Sequence, residues 1–237
     1  MRRLLIALLF VFASLPVAGV NTVVVMRHAA AAGGFCTPFE ECDEFNTTNN
    51  PATGWTAGPS SGAWQTNGTQ MVPPAGSVTA LLNNTVAGTT TEYAIVKIVE
   101  ADDEIGVFVR RTSDSGYYYR LYWSGTQAFW AIHTSSDDSY NIETAGCGTT
   151  AFTDGDYMAA LVTGTGTGTI ARIWNKGQTA PTSAPTTGDA CSTLCCEWTD
   201  DLGTSGNNYA DSGDRIGLYV YTGSTVRRFD DFAGGGS

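Results

Sequence analysis

Charge is scarce in this chain and cationic charge scarcest: 12 Lys and Arg stand against 23 Asp and Glu in 237 residues, with two His, for a net charge of −11. A phosphate backbone requires a cationic surface, so nucleic acid is excluded as a partner. Beyond Arg2-Arg3, the basic residues are scattered apart from Arg110-Arg111 and Arg227-Arg228. No amphipathic helical period persists for three turns, and no repeat is long enough for a solenoid or propeller. Gly-x-Ser-x-Gly, His-Glu-x-x-His, phosphate-loop and EF-hand patterns are all missing, and with them the enzyme and sensor classes they announce. Beyond the first residues, no apolar run approaches the roughly 20 residues of a membrane-spanning helix.

What is present begins with Met1-Arg2-Arg3, the apolar run Leu4 to Leu15, and Pro16-Val17-Ala18-Gly19. These are the basic, apolar and small-residue regions of a signal peptide over 1–19, which makes the chain secreted. An uncleaved anchor is the alternative, because Val20 to Met26 is also largely apolar. Residues 20–41 form an N-terminal extension carrying Cys36. The six Cys (36, 42, 147, 191, 195 and 196) are an even count behind a signal peptide and read as disulfides. Adjacent Cys195 and Cys196 take different partners, because a vicinal ring distorts the peptide; Cys147 with one of the trio 191, 195 and 196 is the preferred long-range link. A zinc site at that trio is the rival, weakened by the absence of Cys-x-x-Cys spacing.

Alternating β-branched and aromatic stretches, separated by Gly, Asp and Ser turns, make the chain all-β. Residues 94–100, 105–112, 117–124, 128–135 and 140–144 read as an antiparallel meander, with Asp102-Asp103 in its first hairpin turn. Residues 157–164 and 169–176 read as a hairpin, and strands resume at 215–221 and 225–232. Residues 177–213 are a long Cys-rich loop, and 234–237 a flexible Gly-rich tail.

The order of Asp43-Glu44-Phe45-Asn46, Trp55, Asp102-Asp103, the strand 105–110, Tyr117 to Trp123, Arg215 to Tyr221 and Phe229-Asp230-Asp231-Phe232 resembles the concanavalin A-like lectin and glucanase superfamily, especially its laminin-G-like and thrombospondin C-terminal-like branches. The resemblance covers 42–233. It implies a two-sheet antiparallel jelly-roll sandwich whose terminal strands, carrying Phe45 and Phe232, lie side by side, with a glycan on the concave sheet or rim loops and, in many members, Ca²⁺. Fold alone licenses neither ligand.

Alternation along the strands puts Val107 and Val109 on one face and Phe108 and Arg110 on the other. By the same count Tyr119, Leu121 and Trp123 oppose Tyr118, Arg120 and Tyr122. Ala171 and Ile173 oppose Arg172 and Trp174, and Leu218 and Val220 oppose Tyr219 and Tyr221. Arg110, Tyr118, Arg120, Tyr122, Arg172 and Trp174 thus form an aromatic and Arg face suited to the apolar side and hydroxyls of a sugar. The bland alternative is aromatic cover on the outside of a sheet. Trp130 and His133 fall on opposite faces of their strand.

Glu100, Asp102 and Glu104 look like the carboxylate pattern that glucanases of this superfamily carry on one concave strand. A retaining mechanism needs two carboxyl groups about 5 Å apart on one sugar, whereas this string sits in a turn, so catalysis is the weaker reading. For metal, Asp231 and Asp43 become neighbours if the terminal strands pair, and hard oxygen ligands suit Ca²⁺; a solvated acidic edge is the alternative. Asn46, Asn67 and Asn83 head Asn-x-Thr sequons. The function expected is a secreted, non-catalytic carbohydrate-binding or adhesion module for a glycan or cell-surface polysaccharide. The alternatives are a self-assembling structural protein of a cell surface, filament or virion, and a glycoside hydrolase or polysaccharide lyase.

Overall fold

The computed structural model describes residues 35–36, 38–49, 52–58, 62–75, 78–82, 86, 88–101, 104–111, 117–134, 140–143, 147, 152–189, 195–199, 213–221 and 228–236. The expected signal peptide over 1–19, Asp102, Cys191 and Asn83 lie outside them. Nearly every regular element among these residues is a strand, as the short-period patterning requires. Nine strands form one sheet, in the order β14 (Cys195–Thr199), β13 (Ile170–Asn175), β12 (Tyr157–Thr163), β7 (Thr91–Ile98), β16 (Phe229–Gly236), β5 (Met71–Val72), β4 (Gln65–Asn67) and β2 (Thr48–Asn49), with β1 (Glu41–Asp43) also on β16. Seven form the other: β11 (Tyr140–Glu143), β10 (Ala128–Thr134), β9 (Tyr117–Ser124), β8 (Glu104–Arg111), β15 (Arg215–Val220), β6 (Val78–Leu82) and β3 (Trp55–Ala57). The result is the two-sheet antiparallel jelly-roll sandwich.

Its core is built by the predicted alternation. Ala94, Val96 and Ile98 of β7 and Met158, Ala160 and Val162 of β12 face Val107 and Val109 of β8, Tyr119, Leu121 and Trp123 of β9, and Leu218 and Val220 of β15, all buried in one cluster. Tyr119 stacks on Trp130 with centroids 5.6 Å apart. The hairpin β12–β13 and the terminal pairing also appear as expected, with Asp43 opposite Phe232.

Three expectations need correction. First, the meander is β8–β9–β10–β11 alone; β7 crosses to the nine-stranded sheet, between β12 and β16. β7 and β8 are therefore not hairpin partners, since alternation reports which face a residue takes and not which strand pairs with it. Second, Gly234 to Gly236 are not a free tail but continue β16 opposite Ala94, Tyr93 and Glu92. A Cβ on Gly234 would lie 2.3 Å from Ile216 Cδ1 and 2.8 Å from the Tyr93 carbonyl oxygen, so close packing, not flexibility, calls for glycine there. Third, residues 177–213 contain a strand: β14 pairs with β13, with Cys196 opposite Ile173.

Disulfides join Cys36 to Cys42 and Cys147 to Cys196, the second being the long-range link to the Cys trio. It ties β14 to the bridge that residue 147 makes with Ala128 at the start of β10, and so fastens one sheet to the other. Replacing Cys147 and Cys196 together by Ser is expected to lower stability by about 2–4 kcal/mol in urea unfolding; an unmoved midpoint would contradict this role.

Candidate functional site

Outside the core, the two sheets carry separate outward faces, and the predicted site residues divide between them. On the seven-stranded sheet, Tyr118, Arg120 and Tyr122 of β9 gather with Phe108 and Tyr219. The Arg120 guanidinium lies 4.4 Å from the Tyr122 ring centroid and 4.1 Å from that of Tyr219. The Tyr219 hydroxyl donates to Glu104 Oε2 at 2.9 Å. Burial raises the Tyr219 pKa, against the nearby Arg120 charge, and Glu104 raises it further. Gly106 stands opposite both Tyr122 and Tyr219. These rings and Arg120 are buried against one another, at 4% exposure or less, which leaves no ring face open to a sugar. The cluster clamps β8, β9 and β15 together.

Arg110 is not part of that face. Two residues of β8, Val109 and Arg110, oppose the single Ile216 of β15, and Arg110 has φ of 59°. This bulge turns its side chain inward, where the guanidinium lies 5.9 Å from the Tyr119 ring and donates to the carbonyl oxygens of Thr90 and Val162. Arg111 takes the outward place, over Phe108 and Tyr118. The Arg110 N–H donates at 2.9 Å to Glu92 Oε2, which reaches across from β7. Burial pushes the Glu92 carboxyl up to about 8, although the Arg110 N–H, the Arg110 charge and the Gly213 N–H oppose the shift.

Arg172 and Trp174 point out from the other sheet, so the six predicted contact residues do not form one surface. There Trp174 joins Tyr93, Ile95, Tyr157, Ala159, Leu161 and Ala233 in a second apolar cluster. Arg172 pairs with Glu197, bonds the Thr187 carbonyl oxygen and lies 5.4 Å from the Trp174 ring. Lys176 Nζ sits 5.1 Å from the same ring and 2.5 Å from Asp189 Oδ2. Asp189 also accepts from the Thr186 hydroxyl at 2.7 Å. Partial burial works against ionisation of Asp189, but the bonds from Lys176 and Thr186 outweigh it and hold the carboxyl below its ordinary value.

Between these groups lies an open cleft of about 260 Å³. Ile95 and Ala159, cross-strand partners in β7 and β12, lie fully buried at its base. Lys176, Asp189, Thr179, Thr182 and Ser183 supply polar walls, and Pro181 and Pro185 line the loop that overhangs it. Side-chain size explains the hollow: Ala159 lies between the bulkier Tyr157 and Leu161 on its strand and opposite Trp174. The sequence points to Arg172 and Trp174 but not to Lys176 or the 179–189 segment. The available signal was a Pro-Thr-Ser stretch beginning straight after a strand with an outward Trp.

Glu100 and Glu104 do not share a strand, since one follows β7 of the nine-stranded sheet and the other opens β8 of the seven-stranded sheet. The single-strand carboxylate pattern is therefore absent. The terminal carboxylates are engaged separately. Asp43 accepts from the Phe45 N–H and the Trp55 indole, each at 2.8 Å. Asp231, in a bulge of β16 with φ of 40°, accepts from the Tyr157 hydroxyl at 2.5 Å. Burial raises the Asp231 pKa, the Tyr157 bond opposes this, and Asp230 adds to it. Asp230 pairs with Lys97 at 2.9 Å. Among the described residues no group of three His, Cys, Asp or Glu could hold a metal ion; in the register Asp43 lies opposite Phe232, the residue after Asp231.

No family model matches the chain, and no curated protein matches it. Solved structures of similar fold include a β-1,3-glucanase from Mycobacterium marinum, with 12% identity and a TM-score of 0.42 over 84% of this chain and 99% of that one. The Ca²⁺-bound exoplasmic/lumenal domain of VIP36 matches with 11% identity and a TM-score of 0.46 over 84% and 93%. The carbohydrate-binding module CBM66 from Bacillus subtilis matches with 14% identity and a TM-score of 0.39 over 78% and 93%. Identities and scores this low transfer neither activity nor ligand to this chain.

Proposed function

We propose that this protein is a secreted, non-catalytic carbohydrate-binding module whose contact site is the cleft on the outer face of the nine-stranded sheet. The observation that carries the reading is the composition of that cleft. Half-buried Pro181 offers apolar surface to the C–H face of a pyranose above the fully buried Ile95 and Ala159, while the Lys176–Asp189 pair and three hydroxyls supply donors and acceptors around it. A carboxylate offers about four acceptor positions, so Asp189 can keep its Lys176 and Thr186 bonds and still accept from sugar hydroxyls. The volume is at the small end for a ligand pocket, which suits a single ring. Glu100, beyond the end of β7, and Glu104, at the start of β8, do not share a strand, which favours binding over hydrolysis, and the two disulfides accord with an oxidising compartment.

Screening on a glycan array and on insoluble polysaccharides tests the reading. We expect retention of at least one neutral glycan, unchanged by EDTA. Asp189→Asn is expected to weaken it about tenfold, the scale of a lost charge-assisted hydrogen bond, and Thr182→Trp to abolish it by filling the cleft. Retention undiminished in both variants would dismiss the cleft as the site.

A further inference from the structure

The cleft floor does not end at Ile95 and Ala159. Tyr93 lies two residues before Ile95 on β7, and Tyr157 two residues before Ala159 on the antiparallel β12, opposite Lys97. The two Tyr therefore stand at opposite ends of the floor, four residue positions apart along the strands. At about 3.3 Å per residue this is roughly 13 Å, the length of a short oligosaccharide rather than of one sugar ring. Each Tyr is held by a polar anchor, Tyr157 through its hydroxyl bond to Asp231 and Tyr93 beside Glu40.

Both rings are covered by one short segment. Phe35 lies 5.5 Å from Tyr157 and Phe39 6.4 Å from Tyr93, with the two Phe rings 5.1 Å from each other. The Cys36–Cys42 disulfide closes this segment into a small loop. Within it the Phe39 N–H donates to the Cys36 carbonyl oxygen at 3.2 Å, and Glu40 Oε2 accepts from the Gly236 N–H at 2.8 Å at an exposed site. Cys42 itself belongs to β1, paired with Ala233, so the loop is fixed at one end. Half-buried Phe35 and Phe39 and a hydrogen bond at an exposed site are the marks of a segment that opens locally.

We propose that residues 35–40 are a disulfide-fastened strap over two further saccharide subsites, the Tyr93 and Tyr157 rings, and that releasing the strap converts a one-ring cleft into a groove for an oligosaccharide. This rests on the cleft's binding a sugar. Phe35 and Phe39 occupy the places where the apolar faces of flanking sugar units would stack.

The full chain, Cys36→Ser/Cys42→Ser and Phe35→Ser/Phe39→Ser are compared in two assays: hydroxyl-radical footprinting of Tyr93 and Tyr157, and affinity for ladders of glucose, mannose and xylose oligomers from monomer to hexamer. The expected result is several-fold greater labelling of both Tyr rings in the variants. With it comes about tenfold tighter binding of trimers and longer, with monomer affinity unchanged. Oligomers bound by the variants when the full chain retains nothing would still support the strap, while removing the cleft as a sufficient site. Unchanged labelling in both variants, greater labelling without a gain for long oligomers, or no binding by any form would overturn the proposal.

Discussion

Glu92→Gln is expected to remove most of the fall in stability that the parent protein shows between about pH 5 and pH 9. The Glu92 carboxyl has a folded-state pKa raised from 4.5 to about 8, so the folded state holds a proton that the unfolded state releases at lower pH. Its contribution is fully present below about pH 4.5 and is lost as the pH rises through about 8. The cost of ionising it inside the sandwich is on the order of 5 kcal/mol. The Arg110 N–H needs only an acceptor, and the Gln carbonyl provides one. The variant should equal the parent near pH 5 and exceed it by several kcal/mol near pH 9 in urea unfolding. Asp231, also raised, leaves a weaker residual slope of the same sign. Parallel pH profiles for parent and variant would show that the buried carboxylate is matched by Arg110 after all.

The second large effect is expected at Gly106. A Cβ there would lie 2.2 Å from the Leu121 carbonyl oxygen and 2.6 Å from Tyr122 Cα. These are backbone atoms of the neighbouring strand and cannot swing away as a side-chain tip can. Gly106→Ala must separate β8 from β9, at about 3 kcal/mol or more, at the upper end of overpacking costs. It would also disturb the Tyr122 and Tyr219 rings that hold Arg120. The expected signature is a lower thermal midpoint together with altered near-ultraviolet circular dichroism. A variant as stable as the parent would mean that the two strands have room to move.

What could be read from the sequence was whatever depends on period alone. Val107 with Val109, Tyr119 with Trp123, Ile173 against Trp174 and Leu218 against Tyr219 all take the faces that alternation assigns them, because one face of each strand must enter the core. Arg110 escaped the same count because a bulge adds one residue to a strand and reverses every face beyond it. The switch of β7 to the other sheet was hidden because a sheet-crossing connection and a hairpin both join two alternating strands. β1 to β5 have two or three residues each, too few to show a period. The Gly234 to Gly236 run has a linker's composition, and only the packing of Ile216 and Tyr93 against it reveals why glycine is required. The sequence pointed only to neighbours of the cleft: Arg172 and Trp174 sit on the adjacent strand and do not line it, whereas Lys176, Thr182 and Asp189 reach it through a path set by tertiary packing.

The central claim is that a sugar is bound on the outer face of the nine-stranded sheet, between Ile95, Ala159, Lys176 and Asp189. A methyl NMR titration with the glycan retained on the array tests it most directly. The account predicts that the Ile95 δ1 and Ala159 β methyl signals move together and saturably, while the core methyls of Val107 and Leu218 stay in place. Still Ile95 and Ala159 signals, with the saturable shifts falling instead around Tyr122 and Tyr219, would contradict it.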